Sequence, residues 1–288
     1  MSQINRLAIG AAKFGFDYDY LNNTNSLSKK TAYEILDTAN NFNINTIDTA
    51  QGYGNSEQVI GDYVRKRKIR NLNIITKVSQ GSNDIDIQSS LEKLNVDSLY
   101  GVLIHDFSGF KKDKSIFYKL LEYKDEGLIN KIGFSLYYPE ELEYLLESKI
   151  KFDIVQVGYS IFDQRFKKYF AELKNMGIEI HTRSAFLHGL YFKEVDDLGL
   201  HFNSVKDKLK SLQQLSLSKK LPVEAICLGY VLHEPNIDKI IIGVDSSELL
   251  IKNIKLINNI NIESDDFCDL SDYSVQNINI LFPHHWKI

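Results

Sequence analysis

Short apolar runs alternate with longer stretches in which apolar residues recur every three or four positions, and this rhythm holds along nearly the whole chain. The short runs read as buried strands and the longer ones as amphipathic helices, so the pattern is one of βα units and a parallel sheet. A first strand is expected at 7–9, ending at Gly10. A loop rich in Asn and Tyr over 17–25 leads to a helix at about 28–42, with Ala32, Ile35, Leu36 and Ala39 on its buried face. The second strand covers 44–47, and Asn55 or Ser56 is placed to cap a helix running to about 68. The third strand is expected at 74–76 with its helix at about 85–94, and the fourth at 99–104 with a helix at about 113–126 ended by Gly127. The fifth, 129–134, runs up to Ser135, and Pro139 opens the helix after it. The sixth, 154–157, precedes a helix at about 164–176. The seventh covers 178–182 and is followed by helical stretches at about 204–219 and 223–233. The eighth covers 239–242, with Ser246 or Ser247 capping a last helix to about 257.

Eight such units in ~250 residues match an α/β architecture of the TIM-barrel type, a (β/α)8 barrel. No linker or break in composition divides the chain, so a single barrel domain over 1–257 is expected, with 258–288 as a C-terminal tail. The tail holds Trp286, the only tryptophan, which predicts that it packs on the barrel. A barrel of this size needs no partner to bury its core.

Composition narrows the class. Of the 288 residues 43% are hydrophobic and 25% charged, as in an ordinary globular protein. Lys and Arg number 34 against 38 Asp and Glu, a net charge of −4, which offers no footprint for nucleic acid or an anionic membrane. The basic run 65–70 falls at a predicted helix end, where cations complement the dipole. Cys227 and Cys268 are too few for a disulfide framework and resemble no zinc site. His284 and His285 lack a third metal ligand at sensible spacing. With no signal-peptide pattern at the N-terminus and no apolar run of ~20 residues, a cytoplasmic protein is expected.

In a parallel barrel the chemistry gathers at the C-terminal ends of the strands. Asp48, Lys77 and His105 are predicted there on three successive strands, and Tyr53 lies on the loop between the first two, flanked by Gly52 and Gly54. Each alone has a plain reading: Asp48 as a cap or turn residue, Lys77 as a solvated cation, His105 as a structural histidine. Together they form a set in which Lys77 favours the phenolate of Tyr53, Asp48 holds the ammonium and His105 donates to an oxygen. Such a set protonates a carbonyl oxygen while leaving the carbon open to a nucleophile or hydride.

The residues Asp48-Thr49-Ala50, Tyr53-Gly54-x-Ser56-Glu57, Thr76-Lys77 and Ile104-His105 resemble, in order and spacing, the landmarks of the aldo-keto reductase superfamily. The resemblance extends from about Leu7 to Asn253. It implies that Tyr53 is the general acid, tuned and oriented by Lys77 and Asp48, with His105 placing the carbonyl of a small-molecule substrate. It also implies NADP(H) or, less often, NAD(H), bound without a Rossmann motif. By the same likeness Ser135 and Gln156 hold the nicotinamide carboxamide, although the Asn frequent after that serine is Leu136 here. Arg183 stands where many members stack a Tyr on the nicotinamide, and a guanidinium plane also stacks. Ser184 and the segment 186–190, beginning with Phe186, resemble the loop along the pyrophosphate. Gly243, Ser246 and Asn253 match the adenosine end.

That end departs from NADPH-preferring members, which place Lys or Arg against the 2′-phosphate. Here the run 243–249 carries Asp245 and Glu248 and no base before Lys252. Family frequency favours NADP(H); an Asp suited to a free ribose hydroxyl leaves NAD(H) open. The implied activity is reduction of an aldehyde or ketone to an alcohol. The segments 10–15 and 183–186 with the tail resemble a bacterial subgroup associated with surface-polysaccharide gene sets, which implies a sugar or nucleotide-sugar carbonyl. The alternatives are a non-catalytic barrel binding the nucleotide as a sensor or assembly partner, and a lyase or isomerase. The intact set of four argues against the first, Ser135 and Gln156 against the second.

Overall fold

A computed structural model describes residues 3–15, 26–79, 86–261, 267 and 270–286. Eight parallel strands close into a barrel in sequence order: β1 (Leu7–Gly10), β2 (Thr46–Asp48), β3 (Asn73–Val78), β4 (Leu99–Ile104), β5 (Ile129–Ser135), β6 (Ile154–Gly158), β7 (Glu179–Arg183) and β8 (Lys239–Ile242). Pairing of β1 with β8 at Leu7–Ile240 completes the ring, so no strand edge is left to solvent. The outer helices are α1 (Lys29–Asn41), α2 (Ser56–Arg67), α3 (Ile87–Leu94), α4 (Phe107–Lys112), α5 (Ser115–Asp125), α6 (Pro139–Glu147), α7 (Phe170–Asn175), α8 (Lys206–Lys219), α9 (Val223–His233) and α10 (Ser247–Asn259). A last short helix, α11 (Ile278–Leu281), lies in the tail. Among the described residues no helix is long and apolar enough to cross a membrane. The loop over 17–25 and Cys268 fall outside the described residues.

Side chains alternate between the helix layer and the barrel interior with a period of two. Ile75, Leu103 and Ile154 form a small buried cluster of their own, apart from the large core between sheet and helices. They fill the interior, where a Cβ on Gly101 would lie 2.9 Å from Ile154 Cδ1. Two residues further along stand Lys77 in β3, Gln156 in β6 and His105 just past the end of β4, which therefore face the mouth of the barrel. Period and register alone carry them there.

Several elements depart from the sequence expectation. Lys77 is inside β3, one residue before its end, because the strand continues to Val78. Neither Asn55 nor Ser56 caps α2 with its side chain. The Ser56 hydroxyl is instead buried, donating to Ala11 O at 2.8 Å and meeting Thr49 Oγ1 at 2.9 Å. The helix expected at 164–176 is only a 3-10 turn and α7, because residues 163–165 are held by side-chain bonds outside the helical ladder. Asp163 takes Arg165 on both oxygens at 2.8 Å, and the Gln164 amide donates to Ile161 O and Leu270 O. The unforeseen α4 forms because Asp106 caps it, accepting from Gly109 N, while Phe107 and Phe110 enter an aromatic cluster on Phe134.

The tail returns over the mouth. Phe282 meets the rings of Tyr137 and Tyr138 edge-on at 5.4 Å. Trp286 packs on Phe202 at 5.3 Å and donates its indole N–H to Ile280 O at 2.9 Å.

Candidate active site

The loop after β2 is clamped from below by the strands beside it. Thr49 N–H donates to Ile75 O at 2.8 Å and Gln51 N–H to Lys77 O at 3.0 Å, which extends the sheet pairing past the strand end. Gly54 lies in the left-handed region at φ +57, and a Cβ on Gly15 would fall 1.6 Å from Tyr53 O. Those two glycines let the loop and the segment after β1 touch backbone to backbone. Gly52 has open space around it and no such role.

Tyr53 is thereby set over the two strands beside it. Lys77 Nζ lies 5.0 Å from its ring centroid, and the His105 ring meets it edge-on at 6.0 Å. Lys77 is fully buried and donates to Asp48 Oδ1 at 2.5 Å and to Thr49 O at 2.9 Å. Burial lowers the pKa of its ammonium, and the Asp48 carboxylate works against that. The other Asp48 oxygen accepts from Gln156 Nε2 at 2.7 Å, and Ser135 Oγ donates to Gln156 Oε1 at 3.4 Å. One chain of bonds thus runs from Ser135 on β5 through Gln156 and Asp48 to Lys77. His105 is pushed down to about 4 by burial and then by the Lys77 charge, so it is neutral near pH 7.

A cleft of about 380 Å³ leads away from Tyr53 and Asp48 across β1, β7 and β8. Gln156, Arg183, Ser184, Phe186, Gly243 and Asn253 line it. Ser135 stands behind Gln156, outside the lining, and Ser246 is engaged at the N-terminus of α10, where its hydroxyl accepts from Leu249 N at 3.2 Å. Arg183 lays its guanidinium over the Tyr137 ring at 4.2 Å. The loop after β7 is strained: Ser184, Leu187 and His188 all have positive φ, at 67°, 41° and 51°. Non-glycine residues in that region cost on the order of 1 kcal/mol each and gather at ligand clamps.

Lys13 and Glu224 also line the cleft without having stood out in the sequence. Lys13 reaches Asp245 Oδ1 at 2.9 Å, joining the ends of β1 and β8. Its signal was topological, since a closed barrel makes the first and last strands neighbours. Glu224 pairs with Lys252 at 2.7 Å. No group of metal-binding side chains occurs among the described residues.

The sequence profile of the Aldo/keto reductase family matches residues 6–273, and the chain belongs to that family. An uncharacterized oxidoreductase of Schizosaccharomyces pombe is 27% identical over 188 residues, which is 60% of this chain and 68% of that protein. The NADH-specific methylglyoxal reductase of Escherichia coli K12 is 24% identical over 279 residues, covering 81% of this chain and 84% of that one. Among solved structures, the holo form of aldo-keto reductase AKR11C1 from Bacillus halodurans shares the fold with a TM-score of 0.74 at 20% identity, over 93% of this chain and 91% of that one. Family membership makes this chain an oxidoreductase of carbonyl compounds, and the family uses nicotinamide cofactors. The residues present suit such a cofactor. The Asn253 Nδ2 donor is buried at the cleft wall with no acceptor among the described residues, and an acceptor on a bound ligand would satisfy it.

Proposed function

We propose that the protein reduces an aldehyde or ketone to an alcohol, with Tyr53 donating the proton to the carbonyl oxygen. The carrying observation is the approach of Lys77 and His105 to Tyr53 at the end of the cleft that leads to Asn253. When bound, the nicotinamide supplies the hydride that reaches the carbonyl carbon. The chain's own groups handle the oxygen. Tyr53 gives up its proton beside the Lys77 ammonium, whose charge favours the phenolate left behind. Asp48 keeps that ammonium in place, and Gln156 fixes Asp48. His105, neutral, donates a hydrogen bond to the carbonyl oxygen without competing as a proton source. Gln156 with Ser135 behind it holds the carboxamide end. Ser184 and Phe186 hold the middle, and Gly243, Ser246 and Asn253 the adenosine end.

For the cofactor we favour NAD(H). Lys252, the first base after Asp245, pairs with Glu224, and Lys13, the base beside Asp245 in the cleft, pairs with that carboxylate, which favours a cofactor without a 2′-phosphate. The Escherichia coli relative named NADH-specific points the same way.

Side-by-side fluorescence titration with NADH and NADPH, followed by aldehyde-dependent oxidation, tests this reading. NADH is expected to bind more tightly. Tyr53→Phe is expected to lose turnover by at least roughly 100-fold with cofactor affinity kept. Normal turnover by that variant sinks the role of Tyr53. Tight binding with no turnover of any aldehyde by the wild type would favour a sensor.

A further inference from the structure

The cations around the mouth are nearly all matched. Lys77 is paired with Asp48, Lys13 with Asp245, and Arg165 with both oxygens of Asp163. Arg183 has no ion pair among the described residues. Its neighbours hold it in place, and the Glu141 carboxylate feels its charge without forming an ion pair with it. Tyr137 lies under the guanidinium plane at 4.2 Å, and Nη2 donates to Leu136 O at 3.0 Å. Nε is buried with no acceptor among the described residues. The nearby Glu141 turns one oxygen to the N-terminus of its own helix, accepting from Tyr137 N at 2.7 Å and Tyr138 N at 3.0 Å. The Arg183 charge is felt across the mouth. It adds to burial in lowering the pKa of His105 and of His284, and burial and Arg183 both lower that of Lys77. A guanidinium fixed in one plane on an aromatic face, with donors still to satisfy, is preorganised for a planar or tetrahedral oxyanion.

We infer that the carbonyl substrate carries an oxyanion, a carboxylate or a phosphate, that Arg183 binds while the carbonyl lies against Tyr53. This rests on the reductase reading above. Arg183 is then a specificity residue, sharing one cleft with Tyr53.

Two matched pairs test it at saturating NADH: 4-carboxybenzaldehyde against 4-carbamoylbenzaldehyde, and glyceraldehyde 3-phosphate against glyceraldehyde. The charged member of at least one pair is expected to be favoured roughly tenfold or more in kcat/KM, mostly through KM. The pair that shows the preference tells carboxylate from phosphate. In the wild type the preference is expected to shrink as salt rises from about 0.05 to 0.5 M, a readout that needs no variant. In Arg183→Met the ratio is expected to fall towards one. No preference in either pair overturns the inference and leaves the reductase reading intact. So does a preference that survives both salt and Arg183→Met. A variant that loses NADH affinity while keeping the ratio overturns it too, by showing that the guanidinium serves the cofactor. If cofactor binds but none of the four aldehydes is turned over, the reductase reading itself falls and takes the inference with it.

Discussion

Asp48 carries two burdens at once, since each of its oxygens holds a different side chain and one of those is a fully buried ammonium. Removing one partner of a buried pair strands the other charge, which typically costs ~3–5 kcal/mol. Asp48→Asn keeps the shape and the bond to Gln156 but removes the charge. It is expected to lower unfolding free energy by about 3 kcal/mol in urea titration, and a change below about 1 kcal/mol would show that the pair is not what holds Lys77. His105 makes the second residue-scale prediction. Its pKa is about 4 in the folded chain and ~6.5 when unfolded. The unfolded state therefore binds the extra proton first, so stability present above pH ~6.5 falls as pH drops towards 4. The loss is on the order of 3 kcal/mol at ~1.4 kcal/mol per pH unit. An NMR titration of His105 is expected to show a neutral ring down to about pH 5; an ordinary midpoint near 6.5 would overturn this. Asp48, Tyr53, Lys77 and His105 were legible as candidates from their places after successive strands. The neutrality of His105 was not, because the groups that bury and repel its proton come from other strands.

At the scale of elements, the decisive contact is between the segment after β1 and the loop bearing Tyr53. The Cβ position of Gly15 coincides with Tyr53 O, and Ser56 Oγ reaches Ala11 O across the same seam. Gly15→Ala must push that loop away. Overpacking of this kind costs ~1–3 kcal/mol, so a lower melting temperature and a loss of turnover larger than the loss of cofactor affinity are expected. Gly52→Ala, with nothing within 4 Å of the new methyl, is expected to melt with the wild type. Equal behaviour of the two variants would remove the seam from the account. The two glycines around Tyr53 suggested a tight loop from sequence, but only one of them does the work. What sets them apart is the approach of Gly15 from a different part of the chain. Ser56 is a similar case, since a hydroxyl beside a helix start reads as a cap until a nearer acceptor appears.

Across the whole molecule, the barrel has a polar site at one end and a polar plug at the other. At the N-terminal ends of the strands, Glu179 accepts from Tyr100 at 2.8 Å and pairs with Lys131, and His181 Nε2 lies 3.4 Å away. Burial opposes the Glu179 charge, yet the nearby His181 ring with the bonds from Lys131 and Tyr100 outweighs it and holds the carboxyl down to about 2. An unfolded Glu titrates near ~4.3. The contribution is therefore present above that pH and is lost as pH falls towards 2. Glu179→Gln is expected to be less stable than the wild type at pH 7, with the gap closing between pH 4 and 2. A gap independent of pH in that range would show that the charge is not what matters. The apolar layer of Ile75, Leu103 and Ile154 lies between this plug and the site, so the variant reports on stability apart from the chemistry at the mouth.

The sequence by itself determined the eight βα units and their order, because a period of two or of three to four is a local property of the chain. It also determined which polar residues follow the strands. β4, α9 and β8 fall where the pattern put them. The tertiary structure decided whatever depends on residues far apart in sequence meeting in space. That includes the pairing of Lys13 with Asp245 through closure of β1 on β8, and the bond chain from Ser135 through Gln156 and Asp48 to Lys77. It also includes the return of Phe282 over Tyr137 and an Arg183 that has no ion pair among the described residues. None of these has a local signature. Each follows from register and closure, which convert a spacing along one strand into a distance between several.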